Sequence, residues 1–282
     1  MSAAAAGIVR PARRPSGWVA PGPTPTPPVG RDDLWPQPGE DLCFLAGNWR
    51  ILQRTDGHRF SLDDLVTAHF ATVMAARPGR LLDLGCGIGS VLLFLAWRFP
   101  QARCLGIEAQ PVSAALARRS LAWNGAQDRC EVRLGDFREV ALEDAAIDPF
   151  DLITGTPPYF PRGTGVESGA IQRAPCRFEH RGGIETYCEV AARLLRPGAP
   201  FVACAPTSQS DRVMAAAREA GLHLARRRDV IPRAGKAPLF TVFAFVNEAV
   251  RAIADPPLVV RDAHSRRTEE FVALRAQMGM PP

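Results

Sequence analysis

The chain has 282 residues, enough for one large α/β domain with a buried core but too few for two full enzyme domains. Its formal net charge of +5 at pH 7 mildly favours an anionic partner such as nucleic acid. The seven cysteines include no CxxC pair and no apolar run reaches the roughly 18 residues of a membrane helix, so we expect a cytoplasmic protein without disulfides, metal or membrane span.

The N-terminal segment is rich in alanine, proline, glycine and arginine, and its first acidic residue is Asp32. A segment of this composition buries too little apolar surface to become ordered. We therefore expect residues 1–40 to form a disordered tail.

The pattern changes at Asp41, where a lead-in of residues 41–76 begins. Within it, residues 49–53 are typical of a strand. Residues 61–76 are typical of an amphipathic helix that is capped by Ser61.

Regular alternation of strands and helices follows the lead-in. The predicted strands lie near residues 80–84, 103–108, 131–134, 150–155 and 201–205, and the predicted helices near 89–98, 111–124 and 184–195. Such alternation indicates a parallel sheet with helices on both faces.

Two further long strands, near residues 222–231 and 239–246, close the core. No helix-sized segment separates them, so they should pair antiparallel. The predicted fold is therefore α/β, with a mostly parallel seven-stranded sheet and an antiparallel C-terminal strand. It spans residues 41–248, and residues 249–282 form an extension with one helix.

The first parallel strand runs into a glycine-rich turn with the sequence LLDLGCGIGS, residues 81–90. Gly85, Gly87 and Gly89 alternate around Cys86, and this spacing does not match the GxGxxG turn of dinucleotide-binding proteins. Asp83 would repel a pyrophosphate but suits the ammonium and sulfonium charges of S-adenosylmethionine, directly or through water. The turn therefore predicts a site for this cofactor.

Two more acidic residues follow at the ends of the next predicted strands. Glu108 stands where an acid can accept hydrogen bonds from both ribose hydroxyls of a nucleoside. Asp136 can accept a hydrogen bond from the adenine amino group while Phe137 covers the ring. The order of the three acids predicts that they share one cofactor site.

The fourth predicted strand ends in Thr156, Pro157, Pro158 and Tyr159, at the edge of the sheet where open α/β folds bind ligands. A polar side chain and the carbonyl of Pro157 can accept the two hydrogens of a planar amine and favour the geometry of in-line attack. Tyr159 would stack on the substrate ring. These four residues are the predicted catalytic residues.

The order of motifs LLDLGCGIGS, GIEAQ, GDF and TPPYF resembles methyltransferases that modify exocyclic or amide nitrogens. The lead-in GHRFSLDDL and the closing RRRDVIPRAGKAPLFTVFAF further resemble the bacterial tRNA1(Val) adenine-37 N6-methyltransferases. This resemblance implies a Rossmann-like class I methyltransferase fold, S-adenosylmethionine as cofactor and a tRNA substrate. It implies a cofactor site formed by Asp63, Asp83, Gly85, Cys86, Gly87, Gly89, Glu108, Asp136 and Phe137.

One position departs from the family pattern, because Thr156 stands where asparagine is usual. A threonine hydroxyl still accepts a hydrogen bond, but it is shorter and is also a donor. The stretch after Tyr159 carries arginines between glycines, which is typical of a substrate loop that contacts phosphates. The predicted substrate-binding residues in this loop are Phe160, Arg162, Arg177 and Arg181.

Three hypotheses remain open at this stage. The first is an RNA adenine N6-methyltransferase that acts on tRNA. The second keeps the chemistry but transfers the methyl group to a protein amide or amine, or to a small-molecule nitrogen. The third is a non-catalytic protein that binds the cofactor or RNA. The sequence does not indicate an oligomeric state.

Overall fold

The computed structural model describes residues 7–139, 148–159, 179 and 182–282. Its elements begin with a small sheet formed by β1 (Ile8–Val9), β2 (Glu40–Phe44) and β3 (Arg50–Arg54). β1 pairs parallel with β2, and β2 pairs antiparallel with β3. Helix α1 (Leu62–Met74) follows and is opened by the reciprocal capping box between Ser61 and Asp64.

The remaining elements build the main domain. Its strands are β4 (Arg80–Leu84), β5 (Arg103–Glu108), β6 (Cys130–Leu134), β7 (Leu152–Gly155), β8 (Phe201–Pro206), β9 (His223–Ile231), β10 (Phe240–Val246), β11 (Ile253–Ala254) and β12 (Leu258–Val259). Its helices are α2 (Ser90–Arg98), α3 (Pro111–Trp123), α4 (Ile184–Leu194), α5 (Ser210–Glu219) and α6 (Glu269–Gln277), with short 3-10 turns at Asp32–Leu34 and Thr207–Gln209.

The main sheet has the strand order β11-β9-β10-β8-β7-β4-β5-β6. The strands from β8 to β6 in this order run parallel to one another. β10 pairs antiparallel with both β8 and β9. The predicted mostly parallel seven-stranded sheet with an antiparallel C-terminal strand is therefore confirmed. The short strands β11 and β12 both pair with β9 and extend the sheet to nine strands.

Apolar side chains cover both faces of this sheet. Along β10, Val242 and Ala244 belong to the core cluster that includes α1, α2 and α3, whereas Phe243 and Phe245 belong to the cluster that includes α4 and α5. This alternation follows from the two-residue period of a strand. The prediction of helices on both faces is thus confirmed, and α5 is an additional helix that we did not predict.

The N-terminal segment differs from the predicted disordered tail, because residues 7–40 lie against the domain. The guanidinium of Arg14 stacks on the ring of Phe44, 4.4 Å from its centroid, and donates to the carbonyl of Gly47. Arg119 of α3 reaches back to the carboxylate of Glu40 at 2.8 Å. Stacked and hydrogen-bonded arginines thus supply contacts that the low apolar content of the segment does not reveal.

The C-terminal extension covers β9, the outermost long strand at that side of the sheet. The guanidinium of Arg226 pairs with Asp255 at 2.7 Å, and that of Arg228 pairs with Glu270. Met278 is fully buried next to the domain core. Among the helices of the described ranges, none is both long enough and apolar enough to cross a bilayer.

Candidate active site

A cavity of about 660 Å³ lies at the carboxyl edge of the parallel strands. The residues that line it come from the glycine-rich turn, the ends of β5, β6 and β7, the lead-in and α4. Among them are Asp63, Asp64, Gly85, Cys86, Gly87, Ser90, Glu108, Gln110, Asp136, Phe137, Thr156, Pro157, Pro158, Tyr159 and Tyr187. The fold thus brings most of the predicted cofactor and catalytic residues into one cavity.

The turn between β4 and α2 requires glycine for two different reasons. Gly85 has a φ of +60°, and a Cβ atom there would overlap the hydroxyl of Tyr187. Gly87 has a φ of +55°, but no atom lies within 4 Å of its would-be Cβ. Gly85 therefore allows close packing, whereas Gly87 leaves the cavity wall open for a ligand to approach the backbone.

Asp83 lies beneath the turn, and it is not among the residues that line the cavity. Its carboxyl group accepts a hydrogen bond from the hydroxyl of Thr154 at 2.8 Å and another from the amide of Leu92 in the first turn of α2. Burial raises the pKa of Asp83 to about 7. Its contacts therefore link β4, β7 and α2, and they stabilise the turn from below.

Glu108 shapes the turn from the neighbouring strand. Its Oε2 accepts a hydrogen bond from the amide of Gly87 at 2.9 Å, and its Oε1 accepts one from the amide of Gln110 at 2.7 Å. A carboxylate can accept about four hydrogen bonds, so ribose hydroxyls can bind the same oxygens. The side chain is 6% exposed and lines the cavity, as its predicted role requires.

Asp136 and Phe137 follow the end of β6. The carboxylate of Asp136 accepts two hydrogen bonds from the guanidinium of Arg138, at 2.9 and 2.5 Å. Phe137 is buried and makes an edge contact with Tyr187, with ring centroids 4.6 Å apart. This end of the cavity therefore combines an acceptor carboxylate with aromatic walls, which suits a purine ring.

Thr156, Pro157 and Pro158 follow β7, which pairs with β4, and they line the cavity beside the glycine-rich turn. The side-chain amide of Gln209 donates to the carbonyl of Tyr159 at 2.6 Å and fixes the end of this segment. Gln209 belongs to the 3-10 turn that follows β8. The segment is thereby anchored to two adjacent strands.

The hydroxyl of Tyr159 donates to Oδ2 of Asp63 at 2.8 Å and lies 3.3 Å from the thiol of Cys204. Burial, with Cys204 and Asp63 nearby, raises the pKa of Tyr159 well above its usual value. Asp63 also accepts a hydrogen bond from the hydroxyl of Ser61. The Tyr159 side chain is therefore held at its tip by the first turn of α1.

Next to this contact, Asp64 is buried at the wall of the cavity. Its carboxyl group accepts the amide hydrogen of Ser61 at 2.9 Å. Burial and the adjacent charge of Asp63 raise its pKa well above the usual value. The lead-in helix thus brings two acidic side chains to the cavity.

Sequence reasoning missed several residues of the wall, among them Asp64, Ser90 and Tyr187. The first two adjoin predicted positions, but no sequence signal marks Tyr187 because α4 has an ordinary amphipathic pattern. The predicted substrate-binding residues Phe160, Arg162, Arg177 and Arg181 lie outside the described residues. Within the described part of the chain, no group of three or more His, Cys, Asp or Glu side chains could hold a metal ion.

Comparisons with known proteins show similarity to methyltransferases. Residues 81–160 match the family described as "Methyltransferase domain". A tRNA1(Val) (adenine(37)-N6)-methyltransferase of Bacteroides thetaiotaomicron is 33% identical over 218 residues, which are 75% of this chain and 86% of that protein. The enzyme of the same name from Aeromonas hydrophila is 33% identical over 201 residues, which are 70% of this chain and 80% of that protein.

The fold has a counterpart among solved structures. One described as a predicted O-methyltransferase from Agrobacterium tumefaciens superposes with a TM-score of 0.59 at 19% sequence identity. The match covers 78% of this chain and 98% of that one. This likeness confirms the predicted class I methyltransferase fold.

Proposed function

The chain belongs to the tRNA1(Val) (adenine(37)-N6)-methyltransferase family and is an S-adenosylmethionine-dependent methyltransferase, and from this premise we propose that it methylates the exocyclic N6 of an adenine in tRNA. The relatives bear the name of this reaction, and the cavity supplies a place for each reactant. The observation that carries the proposal is that the glycine-rich turn and the Thr156–Tyr159 segment line the same cavity.

The cofactor end of the cavity is formed by the turn and the ends of β5 and β6 beside it. S-adenosylmethionine, when bound, supplies an electrophilic methyl group on a positively charged sulfur. Glu108 would accept hydrogen bonds from the ribose hydroxyls, and Asp136 and Phe137 would hold the adenine. Asp83 would act on the cofactor through the turn that it stabilises.

The acceptor end of the cavity is formed by Thr156, Pro157, Pro158 and Tyr159. The hydroxyl of Thr156 and the carbonyl of Pro157 accept the two amino hydrogens of the target adenine. The nitrogen lone pair, otherwise delocalised into the ring, would thereby become available for reaction. Tyr159, held by Asp63, provides the aromatic surface against which the base lies.

A transfer assay tests this proposal. The purified chain is incubated with cofactor carrying a labelled methyl group, once with unmodified total tRNA and once with a protein extract. We expect label that nuclease releases and protease does not. Label that survives nuclease but is lost with protease would instead support methylation of a protein nitrogen, and no transfer to either pool would support a non-catalytic role.

A further inference from the structure

Beyond the cavity, five exposed basic residues gather at the same edge of the sheet. β9 and β10 are joined by a hairpin loop of residues 232–239 that carries Arg233 and Lys236. The segment after β12 carries the others, which are Arg261, Arg266 and Arg267. We name these five residues the basic rim.

Strand register places the hairpin beside the acceptor end of the cavity. The first residue of β10, Phe240, pairs with Pro206, the last residue of β8. The hairpin therefore leaves the sheet at the carboxyl edge, where β7 leads into Thr156. The amide of Thr207 also donates to the carbonyl of Leu239 at 3.5 Å, and Thr207 shares its 3-10 turn with Gln209, which holds Tyr159.

The C-terminal segment leaves the sheet at the same edge. β12 pairs parallel with β9, with Val259 beside Ile231, so the chain continues past the end of β9 in the same direction. The amide of Ala234 in the hairpin donates to the carbonyl of Arg261 at 2.8 Å. The extension and the hairpin thus form one continuous surface rather than two independent loops.

The charge of this surface is mainly positive. Asp262 pairs with Arg266 at 2.9 Å and offsets that cation. Asp229, near the end of β9, accepts a hydrogen bond from the hydroxyl of Thr241 at 2.7 Å. Arg261 donates to the carbonyl of Ser265, a contact that orients its side chain without neutralising its charge, and Arg267 donates to an oxygen of Pro282.

We propose that the basic rim binds the phosphate backbone of the RNA that presents its target base to the cavity. This inference rests on the proposed function. Repeated cations on a solvent-exposed edge suit the regularly spaced negative charges of RNA, and such contacts supply affinity that does not depend on base sequence. The rim also gives the C-terminal extension a role, because the extension provides part of the surface and holds the hairpin in place.

A charge-neutral variant tests the proposal. Arg233, Lys236, Arg261 and Arg267 are changed together to glutamine, and Arg266 is kept because it pairs with Asp262. Binding of unmodified tRNA is measured at several salt concentrations. Each phosphate contact contributes about 0.7–0.9 to the slope of log K against log salt, so we expect the slope to fall by about 2–4 and the affinity at low salt by tenfold or more.

The matched comparison removes two cations from each edge of the sheet, namely Arg233→Gln with Lys236→Gln at the rim and two arginines at the opposite edge. Arg77 and Arg103 are exposed at the amino ends of β4 and β5, so Arg77→Gln with Arg103→Gln should leave tRNA binding within about twofold of wild type. Both variants should bind the cofactor as wild type does, which shows that the fold is intact. Equal effects of the rim and control variants on tRNA binding would overturn the proposal.

The sole lysine of the chain allows a test without mutation. Lys236 is the only lysine, so acetylation by an amine-selective reagent reports on this residue and on the N-terminus alone. We expect tRNA to slow acetylation of Lys236 by several-fold, and acetylation at the wild-type rate would overturn the proposal.

These experiments distinguish a failure of the basic-rim proposal from a failure of the proposed function. Wild type that binds tRNA through the rim but transfers no methyl group to it would refute only the proposed function. Methyl transfer to tRNA that the rim variant leaves unchanged would refute only the rim. Transfer to protein that the rim variant abolishes would assign the surface to a protein acceptor and overturn the RNA assignment.

Discussion

The hydroxyl of Tyr159 donates to Oδ2 of Asp63, a residue that precedes it by 96 positions, at 2.8 Å. This contact joins the lead-in helix to the segment that we assign to the target base. Asp63 lines the cavity, yet its carboxylate is already engaged by Tyr159 and by Ser61. We therefore give Asp63 the role of positioning Tyr159, in addition to its predicted place near the cofactor.

Removal of the Tyr159 hydroxyl should impair the positioning of the target base but not the binding of the cofactor. Tyr159→Phe keeps the ring but loses a hydrogen bond to a charged group, which contributes about 1.5–3 kcal/mol. We expect kcat/KM for tRNA to fall by about tenfold or more, with the Kd for the cofactor unchanged. Steady-state kinetics and calorimetry check the two quantities.

Asp63→Asn is the companion variant, because it keeps the shape of the side chain but removes its charge. We expect it to lower kcat/KM for tRNA as Tyr159→Phe does, and the double variant should cost little more than either change alone. Fully additive losses in the double variant would show that the two residues act separately.

The buried carboxyl group of Asp83 should make stability depend on pH. Its pKa is about 7 in the folded chain and about 3.9 in an unfolded one, so the folded state binds the proton more tightly. The contribution of Asp83 to the free energy of unfolding is therefore greatest below about pH 4. It declines as the pH rises toward about 7 and stays low above that pH.

Urea unfolding of wild type and Asp83→Asn between pH 5 and 8 measures this effect. Asparagine does not titrate. The stability of the Asp83→Asn variant relative to wild type should therefore rise with pH across this range, by a few kcal/mol at most. A difference that stays constant with pH would contradict the assignment.

The two glycines of the turn should respond differently to alanine. Both have positive φ, which costs an alanine about 1–2 kcal/mol, but only at position 85 does the new Cβ meet Tyr187. We expect Gly85→Ala to destabilise the protein without cofactor more than Gly87→Ala does. Thermal unfolding compares the two variants.

The contact with Tyr187 provides the control for this comparison. Tyr187→Phe removes the hydroxyl that a Cβ atom at position 85 would overlap. Added to Gly85→Ala, it should recover part of the lost stability. By contrast, Gly87→Ala should weaken cofactor binding and lower the unfolding temperature only by the cost of its positive φ, since its Cβ meets no other atom.

Much of the fold was accessible from the sequence because strand ends are marked by local patterns. Glu108 is the last residue of β5, and Asp136 follows β6 by two positions, as the motif spacing predicts. The sequence could not show which way the side chain of Asp83 points. β4 is buried on both faces, and its pattern does not distinguish the two.

Contacts between distant segments were equally hidden. The Tyr159–Asp63 hydrogen bond and the wall formed by Tyr187 arise only when α1 and α4 pack beside the sheet. The ordered N-terminal segment depends on Arg14 and Arg119, whose stacking and hydrogen bonds cannot be read from composition. Local periodicity carries information about elements, but not about which side chains meet between them.

Position 156 tests the chemistry most closely, because threonine stands there in place of the usual asparagine. Thr156→Val removes the hydroxyl with little change of shape, and we expect kcat to fall by about 100-fold with little change in the KM for the cofactor. Thr156→Ser and Thr156→Asn keep an acceptor and should retain most of the activity. Activity that is kept by Thr156→Val but lost in Thr156→Ser and Thr156→Asn would mean that the shape of the residue matters rather than its acceptor atom.

The central claim is that this cavity directs methyl transfer to the N6 of an adenine in tRNA. Its most direct test is mass spectrometry of nucleosides from unmodified tRNA that has been incubated with cofactor and either wild type or Thr156→Val. The account predicts N6-methyladenosine with wild type and a strongly reduced amount with the variant. Methyl groups found only on another atom, or N6-methyladenosine formed equally by both proteins, would contradict it.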